Sequence, residues 1–140
     1  MERILVSMKA HRGAWEAWSR AISLARRIDA KVYALLVLPS TMPTASELRE
    51  PASVRNRLEL LIELAKSEGI RIEYFISEGN YEDEVIEFVG HNKITLLVAE
   101  SAGKESGHTD RVIPAIRKIL HRIQCRVELV SPRKNEHFSQ

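Results

Sequence analysis

The residues of this chain best placed for chemistry lie between Ile94 and Ala115, in the stretch ITLLVAESAGKESGHTDRVIPA. It begins as a continuous apolar run, Leu96-Leu97-Val98-Ala99, of the kind a strand shows when both of its faces are buried. A polar loop containing Gly103 follows from Glu100 to Asp110, and a helical pattern starts at about Pro114, which suits the first position of a helix. A strand, loop and helix in that order form a junction at the carboxyl end of a strand, where open α/β sheets bind their ligands. Backbone N–H groups at the helix start would favour an anion there. Lys104, His108 and Arg111, with Arg12 from the first strand–helix junction, could add positive charge; the plainer reading of the same residues is a solvated loop.

Other chemistries find less support. The histidines His11, His91, His108, His121 and His137 show no pair at metal-ligand spacing beside a carboxylate or cysteine. Ser7 and Ser101 end strands without a His–Asp arrangement that could activate a nucleophile. Glu82, Asp83 and Glu84 crowd the start of a helix, where the helix dipole favours negative charge. Cys125 is the single cysteine, so an internal disulfide framework is excluded, and at the head of an apolar strand it reads as a small core residue. No enzyme is expected.

The elements that must position these residues follow from the apolar pattern. Ile4 to Met8 is a run of strand length, ended by Lys9, His11 and Arg12. Gly13 to Ile28 has helical spacing, with Trp15, Trp18, Ile22, Ala25 and Ile28 on one stripe; at that spacing the two tryptophans belong to a core rather than to a ligand. Lys31 to Leu38 reads as a second strand. From Pro39 to Ser53 the periodicity vanishes, and Pro39, Pro43 and Pro51 suggest a long mobile connection. Val54 to Ser67 is a helix with Val54, Leu58, Leu61, Ile62 and Ala65 inward and Gly69 just past its end. Ile70 to Ile76 alternates with a period of two, as a half-exposed strand near a sheet edge does. Tyr81 to Val89 is a short helix closed by Gly90 and Asn92, a further helix carries Ile116, Ile119, Leu120 and Ile123 inward, and Cys125 to Val130 is the last strand.

Strands alternating with helices imply a parallel sheet covered on both faces and joined by right-handed crossovers. A chain of 140 residues suits one domain, and its 44% hydrophobic and 29% charged residues are ordinary for a globular protein. A net charge of +2 with histidines neutral gives no field for nucleic acid or a membrane surface. The apolar runs are far short of a membrane span, and Arg3 to Val6 enters a strand at once, leaving no room for a signal peptide. A cytoplasmic location is expected.

Three places make the chain resemble the universal stress protein family. Ile4-Leu5-Val6, followed by a helix ending Leu24-Ala25-Arg26-Arg27-Ile28-Asp29-Ala30, resembles the family's first strand and its "LA-R-x-x-A" helix. Ser77-Glu78-Gly79-Asn80 before an acidic helix resembles its "EG-x-P-x-x-x-I" segment. Leu96-Leu97-Val98, Ile119-Leu120 and Cys125-Arg126-Val127-Glu128-Leu129-Val130 resemble "LIV … VL … CPVLVV". The resemblance covers residues 1–131, leaving 132–140 as a flexible tail. It implies a single five-stranded parallel sheet of order 3-2-1-4-5, the adenine nucleotide alpha hydrolase-like fold, with its topological switch between the first and fourth strands. It also implies a homodimer formed by pairing the last strands, here Cys125, Arg126, Val127, Glu128, Leu129, Val130 and Ser131.

Many family members bind ATP through G-x-x-G, nine residues, then G-[S/T], with an acidic residue ending the first strand. Laid on that pattern without a gap, the first glycine falls on Glu100, the second on Gly103, the G-[S/T] pair on Ile113-Pro114 and the acid on Lys9. Pro114 has neither an N–H nor a hydroxyl to offer, Ile113 adds a branched side chain, and Glu100 brings negative charge. The resemblance thus implies a regulatory or protective protein that acts by dimerisation and protein interaction, without a cofactor. The alternatives are an ATP- or AMP-binding switch with Mg that still uses the Gly103 loop, and an enzyme or sensor for a small anion held by Lys9 and Lys104. The positions any ligand would touch are Met8, Lys9, Glu100, Ser101, Gly103, Lys104, Ile113, Pro114 and Ala115. Lys9 and Glu100, ending adjacent strands, are expected to form an ion pair in the vacated site, the plainer reading being two independent solvated side chains at strand ends.

Overall fold

The computed structural model describes residues 1–40, 45–101 and 117–131, with side chains in the second helix from Val54 onward. In chain order these form β1 (Glu2–Lys9), α1 (Trp15–Arg27), β2 (Ala30–Leu38), α2 (Ala45–Ser67), β3 (Arg71–Glu78), α3 (Tyr81–His91) and β4 (Leu96–Glu100). A helical segment α4, described over residues 117–122, leads to β5 (Arg126–Val130). The expected flexible tail at 132–140 and the helix start at Pro114 lie outside the described residues.

The sheet is parallel throughout, in the order β3-β2-β1-β4-β5. β1 pairs with β2 along its whole length, from Glu2 opposite Ala30 to Lys9 opposite Val37. Its register with β4 is shorter, from Ile4 opposite Leu96 to Val6 opposite Val98. Between them lies the switch point, where the chain has reversed its direction of travel across the sheet.

Because β1 is buried on both faces, alternate residues feed two cores. Ile4, Val6 and Met8 meet Trp18 and Ile22 of α1 and Leu58 and Ile62 of α2. Leu5, with Tyr33, Leu35 and Val37 of β2, meets Val85 and Val89 of α3 and Ile119 of α4. In that second core Tyr33 stacks near Phe75 at 6.4 Å, and Phe88 meets both rings edge-on.

Ile28 caps α1 and is 45% exposed, so the expected apolar stripe stops at Ala25. The expected irregular connection up to Ser53 is corrected more substantially, because α2 already begins at Ala45. The helix-forming run Ala45-Ser46-Glu47-Leu48-Arg49-Glu50 outweighs Pro51, which costs one helical hydrogen bond. Residues 41–44 lie outside the described residues. The far end of α2 behaves as expected: Gly69 at φ 90° lets its N–H reach Lys66 O at 2.9 Å and the Ile70 N–H reach Ala65 O at 3.2 Å. α3 runs through Gly90 to His91, and the Asn80 side chain caps its start by accepting from the Asp83 N–H at 3.0 Å. Among the described residues no helix is long and apolar enough to cross a membrane.

Candidate functional site

At the switch point the ends of β1 and β4 meet the start of α1. No side chain of α1 itself caps that helix. Its cap comes from β4: Glu100 Oε2 accepts from the Glu16 N–H at 2.9 Å and the Ala17 N–H at 3.4 Å. Two of the donors that every helix start leaves unpaired are thereby met by a carboxylate, which the helix dipole also favours. Burial pushes the Glu100 carboxyl up from its ordinary pKa, and the two N–H donors and the nearby Arg12 guanidinium oppose that rise.

Lys9 takes no part in this contact, so the expected Lys9–Glu100 ion pair is corrected. Continuing the β1–β4 register puts Glu100 across from Met8, whose side chain belongs to the first core. Lys9 is one residue further, and successive side chains of a strand point to opposite faces. Its Nζ lies 5.2 Å from the centroid of the Tyr81 ring, on the α3 side of the sheet. Met8 is 2% exposed and presents no side chain to a ligand. The Ser101 N–H is engaged with Val130 O at 2.9 Å, extending the β4–β5 pairing. Gly103, Lys104, Ile113, Pro114 and Ala115 lie outside the described residues.

A hydroxyl inside the apolar run of β1 could have signalled one partner that the spacing did not reveal. Ser7 is 5% exposed, and its Oγ lies 2.7 Å from the Tyr81 hydroxyl. Burial raises the Tyr81 pKa, keeping the phenol neutral. Tyr81→Phe should cost about 1–2 kcal/mol in chemical denaturation by orphaning the Ser7 hydroxyl. Adding Ser7→Ala should recover most of that loss, since removing both partners leaves nothing unpaired. A double variant no more stable than Tyr81→Phe would show the hydroxyl pair to be immaterial.

Beside Tyr81, a cleft of about 360 Å³ opens at the carboxyl ends of β1 and β2, with Lys9, His11, Pro39, Ser40 and Asn80 among its walls. It offers a cation, hydrogen-bonding groups and an aromatic flank to a small polar ligand. On the other side of the sheet, Trp15 packs on Gly13 and carries the Arg57 guanidinium 4.3 Å from its ring centroid, so this tryptophan already has a stacking partner. Among the described residues no cluster of His, Cys, Asp or Glu could hold a metal ion.

The fold, with its cleft at the carboxyl ends of β1 and β2, is that of an open, doubly covered parallel α/β protein. The sequence model of the Universal stress protein family matches residues 1–131, and the chain belongs to that family. The universal stress protein MJ0531 of Methanocaldococcus jannaschii is 27% identical over 131 residues, covering 86% of this chain and 76% of the relative. Among solved structures, universal stress protein UspA from Lactobacillus plantarum superposes with a TM-score of 0.72 at 19% identity, covering 92% of this chain and 97% of that one. A universal stress family protein from Arabidopsis thaliana, solved with AMP bound, gives a TM-score of 0.63 at 17% identity over 97% of this chain and 95% of that one.

Proposed function

We propose that this chain is a regulatory or protective universal stress protein that works by dimerising and meeting protein partners in the cytoplasm, is not an enzyme, and does not bind ATP in the way usual for its family. The Glu100 carboxylate is the observation that carries this reading. It stands where the family pattern has its first glycine, and it spends the anion-attracting start of α1 on a contact within the chain. A polyphosphate approaching the end of β4 would meet that negative charge. Ser101 supports the reading, because its N–H is committed to β5.

Dimerisation is supported by β5. It is the outermost strand on its side, and among the described residues nothing pairs with its outer edge. Leu129 is 48% exposed there, while Arg126 and Glu128 are held by ion pairs to Glu2 and Arg20. An apolar edge strand left open is a pairing hazard that a second copy would remove.

A second reading, a switch that takes AMP or ATP, is supported by the cleft beside Lys9 and by the AMP-bound plant relative. Calorimetric titration with AMP and with Mg-ATP separates the two. The expected result is no saturation by Mg-ATP up to about 1 mM, which corresponds to binding weaker than about 4 kcal/mol. Micromolar binding of Mg-ATP overturns the proposal, and micromolar binding of AMP alone establishes the second reading.

A further inference from the structure

At the amino ends of β4 and β5, the end of the sheet opposite the switch point, the last turns of α3 and α4 part to leave a groove of about 530 Å³. Its floor is apolar, formed where Ile86, Val89, Ile94 and Ile123 bring the second core to the surface. Its rim is cationic: Lys93 and Arg122 stand there beside Arg126, which is already paired with Glu2. None of the residues lining the groove is acidic. Among the described residues neither Lys93 nor Arg122 forms an ion pair.

Lys93 is also the one non-glycine residue with positive φ among those described, at 55°. Glycine takes that left-handed conformation freely, whereas a lysine there is strained. The end of α3 does not require the lysine's charge. Phe88 O already accepts from the Asn92 N–H at 3.0 Å and from Asn92 Nδ2 at 3.2 Å. Val89 O accepts from the Ile94 N–H at 3.0 Å, and Asn92 O from Arg3 at 3.3 Å. The bond from the Ile94 N–H to Val89 O is the closure that ends α3 and requires this positive φ, so what marks the groove is a cation with no ion-pair partner among the described residues, standing over an apolar floor.

We propose that this groove binds a small amphipathic anion, an apolar body carrying a carboxylate. Lys93 and Arg122 hold the carboxylate, and the four-residue floor takes the body. The volume is within the usual range for small-ligand sites. The site is separate from the switch point and independent of whether a nucleotide binds there.

Cys125 lines the groove and is the chain's single cysteine, so it reports on occupancy without engineering. Burial raises its pKa, so alkylation by iodoacetamide is followed at mildly alkaline pH. Anilinonaphthalene sulfonate serves as the fluorescent probe. It should bind, slow the alkylation of Cys125, and be displaced by octanoate at concentrations about tenfold lower than by uncharged octanol. Lys93→Gly and Arg122→Gln should each weaken the probe about tenfold. Lys93→Gly should also raise the melting temperature by relieving the backbone, so lost binding cannot then be lost folding. Probe affinity unchanged in both variants, equal displacement by octanol and octanoate, or Cys125 alkylation indifferent to bound probe would each overturn the proposal.

Discussion

A Leu129→Lys chain is expected to sediment as a 16.0 kDa monomer under conditions where the unaltered chain sediments at twice that mass. Leu129 is 48% exposed in the single subunit, so the substitution removes little from the subunit's own core. Arg126 and Glu128 point to their partners on Glu2 and Arg20 and leave Val127 and Leu129 as the apolar face of β5. In a strand-to-strand dimer that leucine would be covered, and a lysine in its place would be buried without a partner, which weakens association by at least about a hundredfold. The melting temperature of dilute protein serves as the control, since a folding defect would lower it and a lost interface alone would not. An unaltered chain that sediments as a monomer at high concentration would remove the basis for a dimer altogether.

Glu100→Ala is expected to lower stability by about 1 kcal/mol at neutral pH, read from urea unfolding. Two effects compete. The helix start loses a cap worth about 1–2 kcal/mol, and the fold is relieved of a half-buried charge whose burial raises its pKa. The cap wins because two N–H donors, on Glu16 and Ala17, are orphaned at once. The sign with pH is separate. A carboxyl with a raised folded-state pKa holds its proton more tightly when folded, so its contribution is fully present below the ordinary carboxylate range and is lost as pH rises through the folded value. Relative to Glu100→Gln, the unaltered protein should therefore gain stability as the pH falls from neutral through the mildly acid range. A pH-independent difference between those two chains would show that the carboxyl is not strained by burial.

The order of the sheet was legible because apolar runs of strand length alternate with helical stripes, and because Ile70 to Ile76 alternates as an edge strand does. Leu58, Ile62 and Ala65 were legible as the inner face of α2, and all three are buried. The partner of Glu100 was not. In β1 the run Ile4-Leu5-Val6 is apolar on both faces, so the pattern carries no parity from which to tell that Lys9 and Glu100 face opposite ways. Only the register with β4 supplies it. The start of α2 was hidden for a different reason, because Pro43 and Pro51 punctuate the pattern there while local helix propensity prevails. Lys93 gave no warning, since positive φ is a signal the sequence shows only when glycine or asparagine supplies it.

The unequal registers around β1 have a mechanical meaning. β1 grips β2 from Glu2 to Lys9, but holds β4 only from Ile4 to Val6, while β4 and β5 stay paired to each other along their full length. β4 and β5 are therefore tied to the rest of the molecule by side chains as well as by the short seam: Glu100 to the start of α1, Glu128 to Arg20 and Arg126 to Glu2. Loss of the Glu100 contact would remove one of these three side-chain ties between the strand pair and the β1–α1 unit, leaving two on β5, the edge strand a second subunit would grasp.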